Sequence, residues 1–106
     1  MNPVKNKIFS LLGLATRSRN LVSGEFSSEK AVKGGKAFLV IVADDASDNT
    51  KKLFRNASSF YHVPYFEFGT KTEIGHAMGK EMRSSLAVTD EGFAKSIIKQ
   101  LETIAY

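Results

Sequence analysis

The run Phe38-Leu39-Val40-Ile41-Val42-Ala43 sets the tightest limit on how this chain folds. No polar residue breaks it, β-branched side chains are frequent in it, and it is fenced by Gly34-Gly35 before and Asp44-Asp45 after. That pattern belongs to a strand buried on both faces, which requires cover on both sides and a place at the centre of a sheet. The residues ahead of it supply part of that cover. An apolar pair, Leu21-Val22, runs into Gly24, and a short polar helix follows with Lys30 and Lys33, leaving Lys36 just beyond the glycine stop. Ala31 and Val32 give this helix a thin apolar side, while Glu25 and Glu29 suit the positive end of its dipole and Lys33 the negative end. Strand, helix and buried strand form a βαβ unit, whose two strands are expected to be parallel with a right-handed crossover. The basic helix is its expected working surface.

The remaining chain continues the alternation. Asn2 and Pro3 read as a cap and a first helical residue, and Val4, Ile8, Leu11, Leu12 and Ala15 form one apolar stripe behind them. Thr16–Asn20 is a polar, basic connection, either a solvated loop or a phosphate contact. Ala46-Ser47-Asp48-Asn49-Thr50 caps a second amphipathic helix with Leu53, Phe54, Ala57, Phe60 and Tyr61 as its apolar side. Val63–Phe68 reads as a strand with Pro64 at its start, where a missing N–H is tolerated. Thr70 and Glu73 form a capping box for a helix containing Ile74, Ala77 and Met78, which Gly79 closes. Ser85–Thr89 is a last short strand, and Asp90 caps a final helix with the stripe Phe93, Ile97, Leu101 and Ile104. Helix and strand in alternation predict a small α/β sandwich, a central sheet of about four strands with helices on both faces.

A chain of 106 residues, with 42% hydrophobic and 25% charged side chains, suits one folded domain spanning 1–106. Its net charge of +4 favours polyanionic partners. Zero cysteines remove disulfides, thiolate nucleophiles and Cys-ligated zinc. With neither a secretory pattern at the N-terminus nor an apolar run near the ~20 residues that span a bilayer, a cytoplasmic protein without a membrane partner is expected.

Three constellations bear on chemistry. Asp44-Asp45 stands at the C-terminal end of the buried strand, where open α/β sheets bind ligands and where paired carboxylates hold Mg²⁺ or accept a phosphoryl group. No Gly-rich phosphate loop accompanies the pair, so loop support and capping of the next helix are the favoured roles. His62 and His76 belong to no metal spacing and read as a helix-end and a helix-surface residue. The basic face is the third. Lys30 and Lys33 are neighbours at i and i+3, Gly24 lets a partner approach the backbone, and the helix start offers N–H groups to a phosphate. Ser27 and Ser28 add hydroxyls, and Phe26 either staples into the core or stands exposed as a ring that stacks on a base. A second basic element, Lys80-Glu81-Met82-Arg83, follows Gly79, and in an alternating α/β arrangement it lies beside the Gly24 helix start. The competing reading of these charges is a solvated face.

These residues resemble a known family. Gly24 with Lys30, then Ala31-Val32-Lys33-Gly34-Gly35-Lys36-Ala37 running into an apolar strand and Ala43-Asp44-Asp45, is similar to the ribosomal protein family of L7Ae, eukaryotic L30e and small bacterial YlxQ-type proteins. Glu73-Ile74-Gly75, Ala77 and Gly79-Lys80 resemble that family's E-L-G-x-A-x-G-K helix, and Leu86-Ala87-Val88-Thr89-Asp90 its last strand and turn. The resemblance implies a three-layer α-β-α sandwich around a mixed sheet and a non-enzymatic protein without cofactor or catalytic residues. Its implied partner is ribosomal or other structured RNA, read at kink-turns or kinked internal loops, in company with ribosome- or translation-associated proteins. The family's G-x-N-E-x-x-K motif falls on Gly24, Glu25, Phe26, Ser27, Ser28, Glu29 and Lys30. Phe26 and Ser27 thus replace the Asn and Glu that contact guanines, a loss of two base-edge partners worth about 1–3 kcal/mol each. The loop Glu81-Met82-Arg83-Ser84 matches the variable loop that touches a flipped base, and Arg83 makes it basic. The implied RNA contacts are Gly24, Glu25, Phe26, Ser27, Ser28, Lys30, Lys33 and Lys36 on the helix, with Lys80, Met82, Arg83 and Ser84 on the loop. The alternative is a protein-interaction adaptor on the same fold, with Phe26 as its exposed anchor and kink-turn selectivity weakened or lost.

Overall fold

A computed structural model of the chain describes residues 2–104. Helix α1 (Pro3–Arg17) begins as its sequence requires: Asn2 Oδ1 accepts hydrogen bonds from the N–H groups of Val4 at 3.0 Å and Lys5 at 3.3 Å. There follow β1 (Leu21–Ser23), α2 (Glu25–Lys33), β2 (Leu39–Val42), α3 (Asp48–Phe60), β3 (Tyr65–Glu67), α4 (Lys71–Ala77), β4 (Ser85–Val88) and α5 (Glu91–Ile104). The sheet is mixed, in the order β1-β4-β2-β3. Helices α2 and α3 pack together on one face, and α1, α4 and α5 cover the other, giving three layers. β2 occupies an inner position with every residue buried, as its apolar run predicts.

The βαβ expectation needs a correction. β1 and β2 do run in the same direction, but β4 lies between them and pairs antiparallel with both, Ala87 facing Val22 on one side and Val40 on the other. Parallel pairing exists instead between β2 and β3. β4 is itself buried throughout, and its two antiparallel ladders satisfy backbone groups of both neighbours.

Caps hold most of the predicted helix boundaries. Ser47 caps α3, and Thr70 and Glu73 exchange the two bonds of a capping box, Oγ1 accepting at 3.1 Å and Oε1 at 3.0 Å. The Thr70 N–H, followed by the Lys5 ammonium at 3.1 Å, holds the Glu73 carboxyl below its usual range. Asp90 Oδ2 accepts from Phe93 N–H at 2.8 Å, and Ala94, Ile97 and Leu101 bury the last helix, whereas Ile104 at its end is exposed. The end of α3 departs from its expected stripe. Leu53 and Phe54 pack inward, but Phe60 and Tyr61 are exposed and meet edge to face at 4.9 Å. The chain turns back at His62 (φ 58°), and Val63, whose N–H donates to Ser58 O at 2.8 Å, packs on the core in their place. Among the described residues no helix is long and apolar enough to cross a membrane.

Candidate nucleic-acid interface

The interface is built around the entry to α2. Gly24 has φ 93° and ψ 157°, a conformation that essentially only glycine tolerates, and this is what turns the chain from β1 into the helix. Its N–H donates to Ser85 O at 3.0 Å, extending the β1–β4 ladder by one bond. Among the described residues no side chain caps the helix, so the first turn presents its N–H groups to solvent through the exposed residues Glu25, Phe26 and Ser27. Ser28 corrects the expectation of a second surface hydroxyl: it is fully buried on the inner side of α2, and its Oγ has no hydrogen-bond partner among the described residues.

The second basic element comes to the same place. After α4, Gly79 (φ 70°) reverses the chain, Lys80 N–H donates to Gly75 O at 2.8 Å, and the loop then crosses the helix so closely that a Cβ on Gly75 would collide with the Glu81 carbonyl. Arg83 N–H donates to Lys71 O at 3.1 Å, and the Arg83 guanidinium reaches over to β1, where Nε donates to Ser23 Oγ at 3.2 Å while Nη1 donates to Met82 O at 3.0 Å. All these acceptors are neutral, so the positive charge is held in position without being cancelled. Met82 projects from the loop and is exposed, Lys80 likewise, and Ser84 is half-buried where its carbonyl accepts from Ala43 N–H.

The lysines of α2 do not stay together. Lys33 pairs with Glu29 at 2.8 Å, and the Glu29 hydrogen bond holds its ammonium above the usual range. Lys30 and Lys36 are exposed, and no carboxylate pairs with them among the described residues. They border a groove of about 450 Å³ between α2 and β1, lined also by Phe26, Ser27 and Val22. Some cations elsewhere are paired within the molecule. On the α3–β3 edge Glu67 takes Arg55 at 2.9 Å, Lys51 at 3.7 Å and the Tyr65 hydroxyl at 2.8 Å. The Tyr65 bond first, then Arg55 and Lys51, hold the Glu67 carboxyl low, while burial, then the Glu67 bond, pushes the Tyr65 hydroxyl up.

Asp44-Asp45 acts on the backbone, though on a different helix from the one expected. Asp45 Oδ1 accepts from Lys71 N–H at 2.8 Å at the start of α4, whereas α3 has its own cap in Ser47. Asp44 is exposed, and His62 and His76 lie on the surface at the end of α3 and on α4. No group of three or more acidic or histidine side chains arranged for a metal occurs among the described residues.

The family model described as ribosomal protein L7Ae/L30e/S12e/Gadd45 matches residues 6–98. The chain belongs to that family. It is 43% identical over 94 residues to a Bacillus subtilis protein described as "RNA-binding protein YlxQ", covering 89% of this chain and 94% of the relative. The Enterococcus faecium protein of the same description is 40% identical over 98 residues, covering 92% and 94%. Among solved structures, a Bacillus halodurans protein of unknown function superposes with a TM-score of 0.88 at 38% identity, over 91% of this chain and 97% of the other.

Within this family member, sequence patterns pointed to α2 and the loop but missed what joins them. Ser23, which receives Arg83, carries no signal in a three-residue strand. Gly75 was visible as part of the E-L-G-like motif, although its reason, the passage of the loop over α4, is a matter of packing.

Proposed function

We propose that this protein is a non-enzymatic, cytoplasmic RNA-binding protein that grips structured RNA along the rim formed by the start of α2 and the Lys80–Ser84 loop. The observation carrying this reading is the 3.2 Å bond from Arg83 to Ser23, which fastens a cationic loop beside an uncapped helix start. A helix N-terminus offers N–H donors and a partial positive charge to phosphate, and Lys30, Lys36, Lys80 and Arg83 add full charges without carboxylate partners among the described residues. The family, and the Bacillus subtilis relative described as an RNA-binding protein, support the same partner.

The finer target is a kink-turn or kinked internal loop in ribosomal or other translation-associated RNA. Phe26 and Ser27 occupy the positions at which the family carries its guanine-reading Asn and Glu, and neither supplies a bidentate base contact. Phosphate contacts position the RNA while base contacts specify it, so affinity is retained and kink-turn selectivity is reduced. Filter binding of a kink-turn RNA and of a plain duplex across a salt series tests this. Binding to the kink-turn that falls steeply with salt is expected, with less preference over the duplex than two intact base contacts give. Absence of binding to either RNA at low salt would sink the reading.

The 78% exposure of Phe26 favours one second reading, an adaptor whose anchor is that ring. Phe26→Ala would then abolish capture of a protein partner and leave RNA affinity unchanged.

A further inference from the structure

The groove between α2 and the edge strand β1 has a composition that the rim alone does not explain. Phe26 and Lys30 stand one turn apart on the same side of the helix, and Ala31, with Val22 across from it, makes the floor apolar. Ser27 and Thr89 contribute hydroxyls. Beyond the helix end Gly35 turns the chain at φ 72° and brings Lys36 to the far end of the same groove. Lys33, which lies between Lys30 and Lys36 in sequence, is absent from the lining and held by Glu29. The groove therefore combines an apolar floor, an exposed aromatic ring and two cations unpaired among the described residues, with no acidic side chain in its lining.

We infer that this groove holds one unpaired nucleotide of the bound RNA, its base against the Phe26 ring and its neighbouring phosphates on Lys30 and Lys36. The inference rests on the RNA-binding reading above and adds to it a place for single-stranded RNA apart from the loop. Charge selects a polyanion, since two uncompensated cations flank the floor. The floor then selects the form of that polyanion. In a duplex the base faces are covered by their neighbours, whereas an unpaired base can present a face to an aromatic side chain. From Phe26 to Lys33 the helix advances about 11 Å, and Lys30 and Lys36 both lie on the C-terminal side of the ring, which leaves room for one base and the two phosphates that follow along the groove. Ser27 and Thr89 hydroxyls reach base edges without demanding one base, so sequence preference at this position is weak.

The chain contains no tryptophan, so Phe26→Trp places a single indole in the groove. The variant is titrated with a ten-nucleotide single-stranded uridine RNA, a blunt RNA duplex and hexaglutamate, while thermal unfolding confirms that this exposed substitution leaves the fold intact. Quenching by the uridine RNA alone is expected. Phe26→Ala should weaken that RNA at least tenfold, Phe26→Tyr should restore it, and Lys36→Ala should lower its salt slope. An indole emission unmoved by the uridine RNA overturns the inference, as does an alanine variant that binds it normally. Quenching by hexaglutamate instead assigns the groove to an acidic protein segment and also overturns it. These results are separable from failure of the rim: kink-turn RNA that still binds while the indole stays silent removes the groove only, whereas loss of all RNA binding removes both.

Discussion

At the β3 edge, one carboxylate gathers Lys51, Arg55 and the Tyr65 hydroxyl, and the positive charge there is spent inside the molecule. Among the described residues, Lys30 and Lys36 at the α2 rim have no such partner and Arg83 bonds only to neutral oxygens. Both regions are basic in sequence, with lysines or arginines spaced along a helix. They differ in whether an acidic side chain from another element arrives to meet them. A count of charges therefore overstates the binding surface, and tertiary pairing decides which cations remain for a polyanion.

The largest expected effect breaks this comparison by moving the loop while leaving every cation in the chain. Gly75→Ala forces a methyl group into the Glu81 carbonyl, costing about 1–3 kcal/mol in denaturant unfolding. It should also weaken structured RNA roughly tenfold in filter binding, because a loop displaced by this strain no longer stands beside α2. Gly24→Ala acts at the other half of the rim. Open space surrounds the added methyl, so the cost of about 1–3 kcal/mol comes from the backbone angle and reads directly in the unfolding midpoint.

A pair of double substitutions sharpens the contrast. Lys30→Ala with Lys36→Ala should reduce the slope of log affinity against log salt by about 1.4–1.8, the weight of two phosphate contacts, whereas Lys51→Ala with Arg55→Ala should leave it unchanged. Equal slopes for the two variants would end the distinction between spent and available charge.

The smallest effect is electrostatic and concerns Glu67. Its folded carboxyl is held below the unfolded value, so its contribution to stability is present above the ordinary glutamate range near ~4.3 and is lost as pH falls through the lower, folded value. Glu67→Gln should flatten the acid limb of the stability curve by no more than about 1 kcal/mol, measured by urea unfolding between neutral and acid pH.

Local chemistry made much of this fold legible. The Asn2 cap, the Thr70–Glu73 box and the Asp90 cap depend on residues a few positions apart, and the buried run of β2 declares itself by composition. Its neighbours do not. Nothing in Leu21-Val22-Ser23 or Ser85–Val88 specifies that β4 enters between β1 and β2, because strand order follows from the packing of whole layers. The site shows the same limit. Helical spacing put Lys30 beside Lys33, but Glu29 one turn earlier claimed the latter. Polarity suggested that Ser28 was exposed, yet the helix faces it into the sheet layer. The expected aromatic stripe of α3 failed at Phe60 and Tyr61 because the chain reversed before the core reached them.

The bond from Arg83 to Ser23 joins residues 60 positions apart, Ser23 on β1 and Arg83 in the loop that leads into β1's sheet partner β4. During synthesis α2 can form early, but its companion loop and β4 emerge only after most of the domain. Until that long-range contact closes, one of the slower kinds of event in folding, the polypeptide has the lysines of α2 without the assembled rim. The rim therefore exists only once β4 has paired with β1, because that pairing is what brings the Arg83 loop beside α2.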